Sequence, residues 1–344
     1  MILIDAININ SGGGVTLLEQ LVCQLEKVHL KHFILLDNRY SKSGAIKNNY
    51  KKYKSNIIKR SSIIEESIRV FNPNILICFG NFPPPKKFKN IKIITYFQNC
   101  LLIPSLWGNW MNLKEKSLLL LKSTYLKLYL NNSDYFVFQT HFVANKFNEF
   151  YKPQKAILEV FPFFNEDVFV EKISDIKIRE NNSFIYVSSG SAHKNHINLF
   201  AAWAILGDRG LFPKLIVTLQ NSLYDEQINL LKSRGCDIIN LGNVNSTSVV
   251  ELNLKSEFTI FPSYVETIGL GIVEGVFCGT KIISSNLPFL EDIVEPTLSF
   301  DPSDANDIAT KVEFAMKNKD KLKDSKLVIK NQINDFINFL QMEL

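Results

Sequence analysis

Short apolar runs alternate with longer stretches in which apolar positions return every three or four residues, and this rhythm persists almost from end to end of the chain. An unbroken apolar run closed by turn residues suits a strand covered on both faces, and the longer period suits an amphipathic helix lying over it. The alternation therefore predicts a parallel α/β architecture. In the first half the predicted strands are 2–7 (ILIDAI), 33–37 (FILLD), 75–80, 91–98, 135–140 and 157–160, with helices at 15–28 and within 107–130. A polar interval at 165–183 interrupts the rhythm before a second series begins. There the predicted strands are 184–189, 214–219, 236–241, 258–262 and 280–285, and the predicted helices 196–207, 223–234, 270–278, 303–317 and 323–341. The pattern predicts two Rossmann-like domains, 1–170 and 184–320, with 171–183 as linker and 321–344 as a closing helix that caps the second domain or crosses back to the first. In such folds ligands bind at the carboxyl ends of strands and in the cleft between domains.

Length agrees with that division: 344 residues exceed one typical core and suit two domains of about 150 to 200 residues. With 46% of residues hydrophobic and 21% charged, neither a disordered nor a fibrous chain is expected. The cysteines Cys23, Cys78, Cys100, Cys236 and Cys278 include no pair at metal-ligand or redox spacing, which predicts a reducing compartment. The opening MILIDAI lacks a basic leader and reaches Asp5 at once, so it reads as a first strand rather than a signal peptide. No apolar stretch is long enough to span a bilayer, and the expected location is cytoplasmic or at the inner face of the cell membrane.

The net charge of +5 is unevenly placed, for eight Lys or Arg and no acidic residue lie between Asn38 and Ile64. No zinc-finger spacing, recognition helix or basic-aromatic platform accompanies them, so nucleic acid is not an expected partner. A solvated loop around a helix is the expected structure there. The stretch 101–130 mixes Leu, Trp and Tyr with four lysines and one glutamate. Two readings stay open for it: a surface that dips into an anionic bilayer, or core packing with a solvated stripe.

Candidate chemistry concentrates in residues 261–294, FPSYVETIGLGIVEGVFCGTKIISSNLPFLEDIV. A strand ends at Pro262, a loop carries Glu266, Gly269 and Gly271, and a helix begins and presents Glu274 within about its first turn. Backbone amides at a glycine-containing helix start can cradle a diphosphate, because a loop poor in side chains lets the anion approach unpaired donors. Glu274 can then accept hydrogen bonds from a ribose diol, and Glu266 can reach the hydroxyls of a sugar. Each piece alone is also explained by helix capping or turns; the combination points to a sugar nucleotide. Upstream, FIYVSSGSAHKNHINLFAAW at 184–203 delivers Lys194 between a strand and a helix, where its charge can neutralise a leaving diphosphate.

These segments resemble the donor-site signature of retaining glycosyltransferases of the two-domain GT-B fold, family 4, or group 1. The matching pieces are Pro262 and Ser263, Glu266, seven residues, Glu274, then Cys278, Gly279 and Thr280, with Ser285 and Asn286 at the next strand end. The resemblance implies that Glu266 engages the donor sugar, Glu274 the ribose, and the backbone of Thr267, Ile268, Gly269 and Leu270 the diphosphate. It also implies an Arg and Lys pair at the diphosphate; Lys194 fills the second position and Ser189 stands where the arginine belongs. Asn243, in the stretch NLGN, resembles the loop that contacts the nucleoside, and FDPSD at 300–304 the segment before the next helix. Glu266 and Lys194 are the expected catalytic residues, a UDP- or GDP-sugar the expected donor, and no metal or other cofactor is expected.

The first half resembles the family only loosely. Three consecutive glycines in SGGGVTLLEQL do not make the dinucleotide pattern GxGxxG. The resemblance places Gly13 and Gly14 near diphosphate or acceptor. Gln98 and Asn99 follow a strand where many relatives carry a histidine, and His141, His193 and His196 are further candidates. Similar enzymes act on acceptors carried by polyprenyl diphosphate in capsule or O-antigen synthesis, which would explain basic amphipathic stretches without a spanning helix. Two other functions fit the same residues: a sugar-nucleotide epimerase of this fold, and a catalytically silent sugar-nucleotide-binding partner of another transferase.

Overall fold

The computed structural model describes residues 1–41, 46–166, 178–220 and 224–344. It divides into two units: Met1–Gly108 with Asn112–Asn165 and Lys330–Leu344, and Glu166–Ile329 with Asn109–Met111. Residues 171–177 of the expected linker, and residue 223 at an expected helix start, lie outside the described residues.

Unit 1 is built on strands β1 (Ile2–Ala6), β2 (His32–Asp37), β3 (Tyr50–Tyr53), β4 (Ile75–Cys78), β5 (Lys92–Tyr96), β6 (Tyr135–Phe138) and β7 (Ile157–Val160). Their order is β3-β2-β1-β4-β5-β6-β7, all parallel. Every residue of β1 and of β4 is buried, as the central strands of a sheet covered on both faces must be. Helices α1 (Gly12–Lys27), α2 (Ile57–Phe71), α3 (Leu113–Tyr129) and α4 (His141–Tyr151) lie among the crossovers. The strand order reverses between β1 and β4, which makes their carboxyl ends a topological switch point. Gly12, Gly13 and Gly14 are themselves the first turn of α1 rather than a loop before it.

The basic segment contains a helix as expected, α2, but what surrounds it is not simply a solvated loop. Tyr50–Tyr53 forms the edge strand β3, where lysines protect an open edge, and Arg60 of α2 is only 3% exposed. Its guanidinium meets Asp5 of β1 at 2.6 Å and donates to the carbonyls of Phe82 and Pro83, so a buried charge pair ties α2 to the sheet and to the loop after β4.

The closing helix is shorter than predicted, Ile333–Met342, and its apolar face joins α1 over the unit 1 sheet. Phe336 is fully buried there, with its ring against Tyr96, Phe161 and Phe163.

Unit 2 carries a second parallel sheet of β8 (Glu180–Tyr186), β9 (Lys214–Val217), β10 (Ile238–Asn240), β11 (Ser256–Phe261), β12 (Lys281–Ser285) and β14 (Leu298–Phe300). The order is β10-β9-β8-β11-β12-β14, so the reversal falls between β8 and β11. A short antiparallel pair, β13 (Val294–Glu295) with β15 (Lys326–Leu327), occupies part of the region predicted as the last helix. Around the sheet stand α5 (His196–Asp208), α6 (Asp225–Ser233), α7 (Ser246–Lys255), α8 (Leu270–Phe277) and α9 (Ala305–Asn318). Glu180–Ser183, polar enough to read as linker, opens β8 instead, because Ser183 pairs with Lys214 and its hydroxyl accepts from the Glu257 amide.

Truncating Phe336 to alanine removes a ring that joins the closing helix to the unit 1 core, and a loss of about 3 to 5 kcal/mol is expected. Chemical denaturation should show an earlier transition for Phe336→Ala; unchanged stability would mean that this helix is not part of the core.

Candidate functional site

Parallel neighbours send their following loops out at the same edge of a sheet, and β8 and β11 are such neighbours, with Phe184 opposite Phe258 and Ile185 opposite Thr259. The loop after β8 passes through a tight turn at Ala192–Lys194 and enters α5 at Asn195, which takes the left-handed conformation with φ 59°. Hydrogen bonds stitch it to the loop after β11 and to neighbouring segments. The Tyr264 amide donates to the His193 carbonyl at 2.8 Å, and Asn195 Nδ2 donates to the carbonyls of Pro262 (3.1 Å) and Pro302 (2.7 Å). The Tyr186 hydroxyl donates to the Lys194 carbonyl at 2.9 Å and lies 2.8 Å from Ser263 Oγ. Ser285 Oγ donates to the Ser263 carbonyl at 2.9 Å.

This stitching brings Lys194 Nζ to 2.6 Å from Glu266 Oε1, with the two side chains 17% and 10% exposed. Burial works to raise the Glu266 carboxyl, but the Lys194 ammonium, by its charge and its hydrogen bond, outweighs it and holds the group below the usual carboxylate range. Burial pushes His193 down to about 4 against an upward pull from Glu266, and the Lys194 charge adds a smaller downward push. His193 is therefore neutral at physiological pH and does not supply the cation missing at Ser189.

The helix after Glu266 is placed by glycines. Gly269 caps α8 at φ 63°, a conformation that other residues adopt only under strain. A Cβ on Gly271 would stand 3.3 Å from the Val187 carbonyl, and one on Gly275 would lie 2.6 to 2.9 Å from Thr259, Thr280 and Ile282. Close approach at Gly275 sets α8 directly on β11 and β12 and so fixes the neighbouring Glu274. No side chain caps the start of α8 and its first turn carries no acid, which suits its amides to an anionic ligand.

The structure brings Lys194 and Glu266 into contact and places Thr267, Ile268 and Gly269 in the buried loop beside them, with Leu270 opening α8. Glu274 is half-buried in the second turn of α8 rather than in the first, because the helix starts at Leu270. Ser189 is exposed beyond the end of β8 and pairs with Ser191. Asn243 is exposed past β10, two strands from β8. In unit 1, Gly13 is exposed and Gly14 lies against the Gln98 side-chain carbonyl, where a Cβ would stand 3.1 Å away. His196 is fully buried among Tyr186, Phe200 and Tyr224, a core position, while His141 is exposed at the start of α4. Tyr186, Asn195 and Gly275 belong to the site without having stood out in the sequence; a tyrosine closing an apolar run and a lone glycine inside a helix are the only signals they leave. Among the described residues no group of three or more His, Cys, Asp or Glu is placed to hold a metal ion.

Two consequences can be measured. Gly275→Ala forces a methyl into occupied space, and a loss of about 1 to 3 kcal/mol is expected, read as a lower thermal midpoint; a neutral substitution would mean that α8 can lift off the sheet. Burial also lowers His196, to about 3, so both buried histidines bind a proton more readily in the unfolded chain. Their contribution to stability is complete above about pH 6.5 and is lost as pH falls towards their folded values. Glu266, depressed in the fold, adds its own loss below the ordinary carboxylate range. Melting temperature should therefore drop between pH 7 and pH 5, and less steeply in His196→Gln. A flat profile in the parent protein would contradict neutral burial.

Residues 170–332 match the protein family described as Glycosyl transferases group 1. No curated protein matches the chain in sequence. Among solved structures, HepE of Anabaena, in complex with UDP and glucose, is 12% identical with a TM-score of 0.69, covering 100% of this chain and 99% of its own. Sucrose-phosphate synthase of Thermosynechococcus elongatus is 14% identical with a TM-score of 0.72, covering 99% and 96%. The lipopolysaccharide outer core galactosyltransferase WaaB in its apo form is 13% identical with a TM-score of 0.63, covering 100% and 99%. At such identities the likeness speaks for the fold, and the family match speaks for the half that holds Lys194 and Glu266. The chain has the GT-B fold, two Rossmann-like domains, and its residues 170–332 match the glycosyl transferases group 1 family.

Proposed function

We propose that the protein is a retaining glycosyltransferase that moves a hexose-type sugar from a UDP- or GDP-sugar to a glycan acceptor. The observation that carries this reading is the Lys194–Glu266 pair at the switch point of a group 1 domain, next to a glycine-capped helix start. The complex of Anabaena HepE with UDP and glucose supports a nucleotide-sugar donor. In this reading Lys194 and the backbone of Thr267 to Leu270 take the diphosphate, Glu266 orients the sugar and Glu274 holds the ribose. Ser189 and Asn243 lie along the nucleotide.

Transfer with retention needs the acceptor hydroxyl to approach the anomeric carbon from the face that the diphosphate leaves. As that carbon–oxygen bond breaks, charge builds on the departing phosphate oxygen. A fixed cation in a site shielded from water stabilises that charge far better than one at the surface. Lys194, with its side chain 17% exposed, is so placed.

The acceptor in this reading is a glycan carried by a polyprenyl diphosphate in surface-polysaccharide synthesis, met at the cytoplasmic face of the membrane. Support comes from α3, whose Leu113, Leu120, Leu121 and Leu128 are each at least half exposed at spacings that align them along one side. Lys114, Lys122 and Lys127 are exposed on the same helix. No helix of the described residues is long and apolar enough to cross a membrane, so α3 is read as lying in an anionic interface.

Isotope-monitored turnover over a panel of UDP- and GDP-sugars, with membrane lipid extract as acceptor, should identify one donor. Lys194→Ala and Glu266→Gln should each lower its turnover about 100- to 1000-fold, and Glu274→Ala should abolish use of the donor. A donor that binds but is never transferred, hydrolysed or epimerised would replace the enzyme with a silent binding partner. In sedimentation with vesicles, the protein should bind phosphatidylglycerol-containing membranes and not neutral ones, and serine at Leu120, Leu121 and Leu128 should release it. Equal binding of parent and variant would remove α3 as the contact.

A further inference from the structure

The mechanism above uses the side chains of Lys194 and Glu266, but these reside on two separate loops, and something must fix one loop against the other. We infer that Tyr186 is the positioning residue of this site, its hydroxyl holding Lys194 and Glu266 in the relative placement that transfer requires. The inference rests on the glycosyltransferase reading and deepens it.

Tyr186 is the last residue of β8 and is fully buried. Its hydroxyl has two partners, and they lie on different loops. One is the main-chain carbonyl of Lys194 at 2.9 Å, on the loop after β8; the other is Ser263 Oγ at 2.8 Å, on the loop after β11. Ser263 is fully buried too, and since the one proton of the phenol goes to the Lys194 carbonyl, the Ser263 hydroxyl donates to the phenol oxygen. A single phenol thus touches the backbone of the cation and a hydroxyl on the loop that carries the carboxylate. The groups facing that carboxylate are Lys194 and His193 from the first loop and Ser263 from its own.

Packing alone does not call for the hydroxyl. The ring already meets Phe261 edge-on at 5.6 Å and His196 at 5.1 Å, contacts that phenylalanine would keep. A buried hydroxyl costs desolvation and is tolerated when its hydrogen bonds are made. Here both bonds are spent on the two loops of the site, which is where a placement error of about 1 Å can cost 100-fold in rate.

Tyr186→Phe removes only the hydroxyl, and two measurements on the full chain decide the inference. In the first, glutamate carboxyl carbons are labelled with 13C and titrated by NMR, the Glu266 signal being assigned by its absence in Glu266→Gln. Deprived of the phenol oxygen, the Ser263 hydroxyl turns its proton to the carboxylate, so the Glu266 midpoint should move to lower pH in Tyr186→Phe; an unmoved midpoint overturns the proposal. In the second, kcat with the identified donor should fall about tenfold or more while KM changes by less than about threefold, the pattern of an interaction used in the transition state. The acid limb of kcat should move to lower pH along with the Glu266 midpoint. A rise in KM alone, or a fall in kcat with the pH profile unmoved, also overturns the proposal. Should Tyr186→Phe fold poorly, Ser263→Ala breaks the same link from the other side and should lower kcat with KM held in the same way, failing which the link does not exist. If the midpoint moves but the parent protein turns over no donor, the positioning role stands and the transferase reading falls.

Discussion

The buried contact between Lys194 and Glu266 is the constraint around which the two loops of the site are arranged. Removing water from an ammonium and a carboxylate is expensive, and at 2.6 Å each largely compensates the other, so neither can be lost or displaced without leaving a bare charge behind. Breaking such a pair by deleting one partner typically costs about 3 to 5 kcal/mol. For a lysine and a glutamate so far apart in the chain to meet at all, β8 and β11 must be parallel neighbours and their loops must leave at the same edge. The reversal of strand order at that point opens room above the sheet, and the hydrogen bonds of Tyr186, Asn195, Tyr264 and Ser285 close the two loops around it.

Glycine does the complementary work on the opposite wall. The absence of a side chain at Gly275 lets α8 rest on the hydroxyls of Thr259 and Thr280, which bond one another at 2.6 Å, and the left-handed backbone at Gly269 aims the start of the helix back towards the end of β8. The same logic of a buried charge set against compensating groups recurs in unit 1, where Arg60 is held by Asp5 and two carbonyls. There the pair fastens a helix to a strand, and every donor direction described for it points to protein.

Much of this was legible in the sequence because apolar runs report burial directly. The strand predicted at 2–7 is Ile2–Ala6, that at 258–262 is Ser256–Phe261, and the helix at 270–278 is Leu270–Phe277. What escaped was whatever depends on partners distant in the chain. A buried arginine looks the same in sequence as a solvated one until Asp5 is brought beside it, so Arg60 read as part of a solvated loop around a helix. The edge strand YKKY carries none of the apolar signal of a central strand, since one of its sides faces solvent. Glu266 and Lys194 could each be singled out by local pattern, but their pairing follows from strand order, and Tyr186 was hidden inside the apolar run that it ends.

If this pair and the adjoining start of α8 receive a nucleoside diphosphate, a crystal structure of the chain with UDP or GDP shows it most directly. The diphosphate should lie against Lys194 and the amides around Gly269 and Leu270, with the ribose hydroxyls on Glu274. A nucleotide bound away from these residues, or a saturating concentration that leaves the Lys194–Glu266 contact untouched and the site empty, would contradict it.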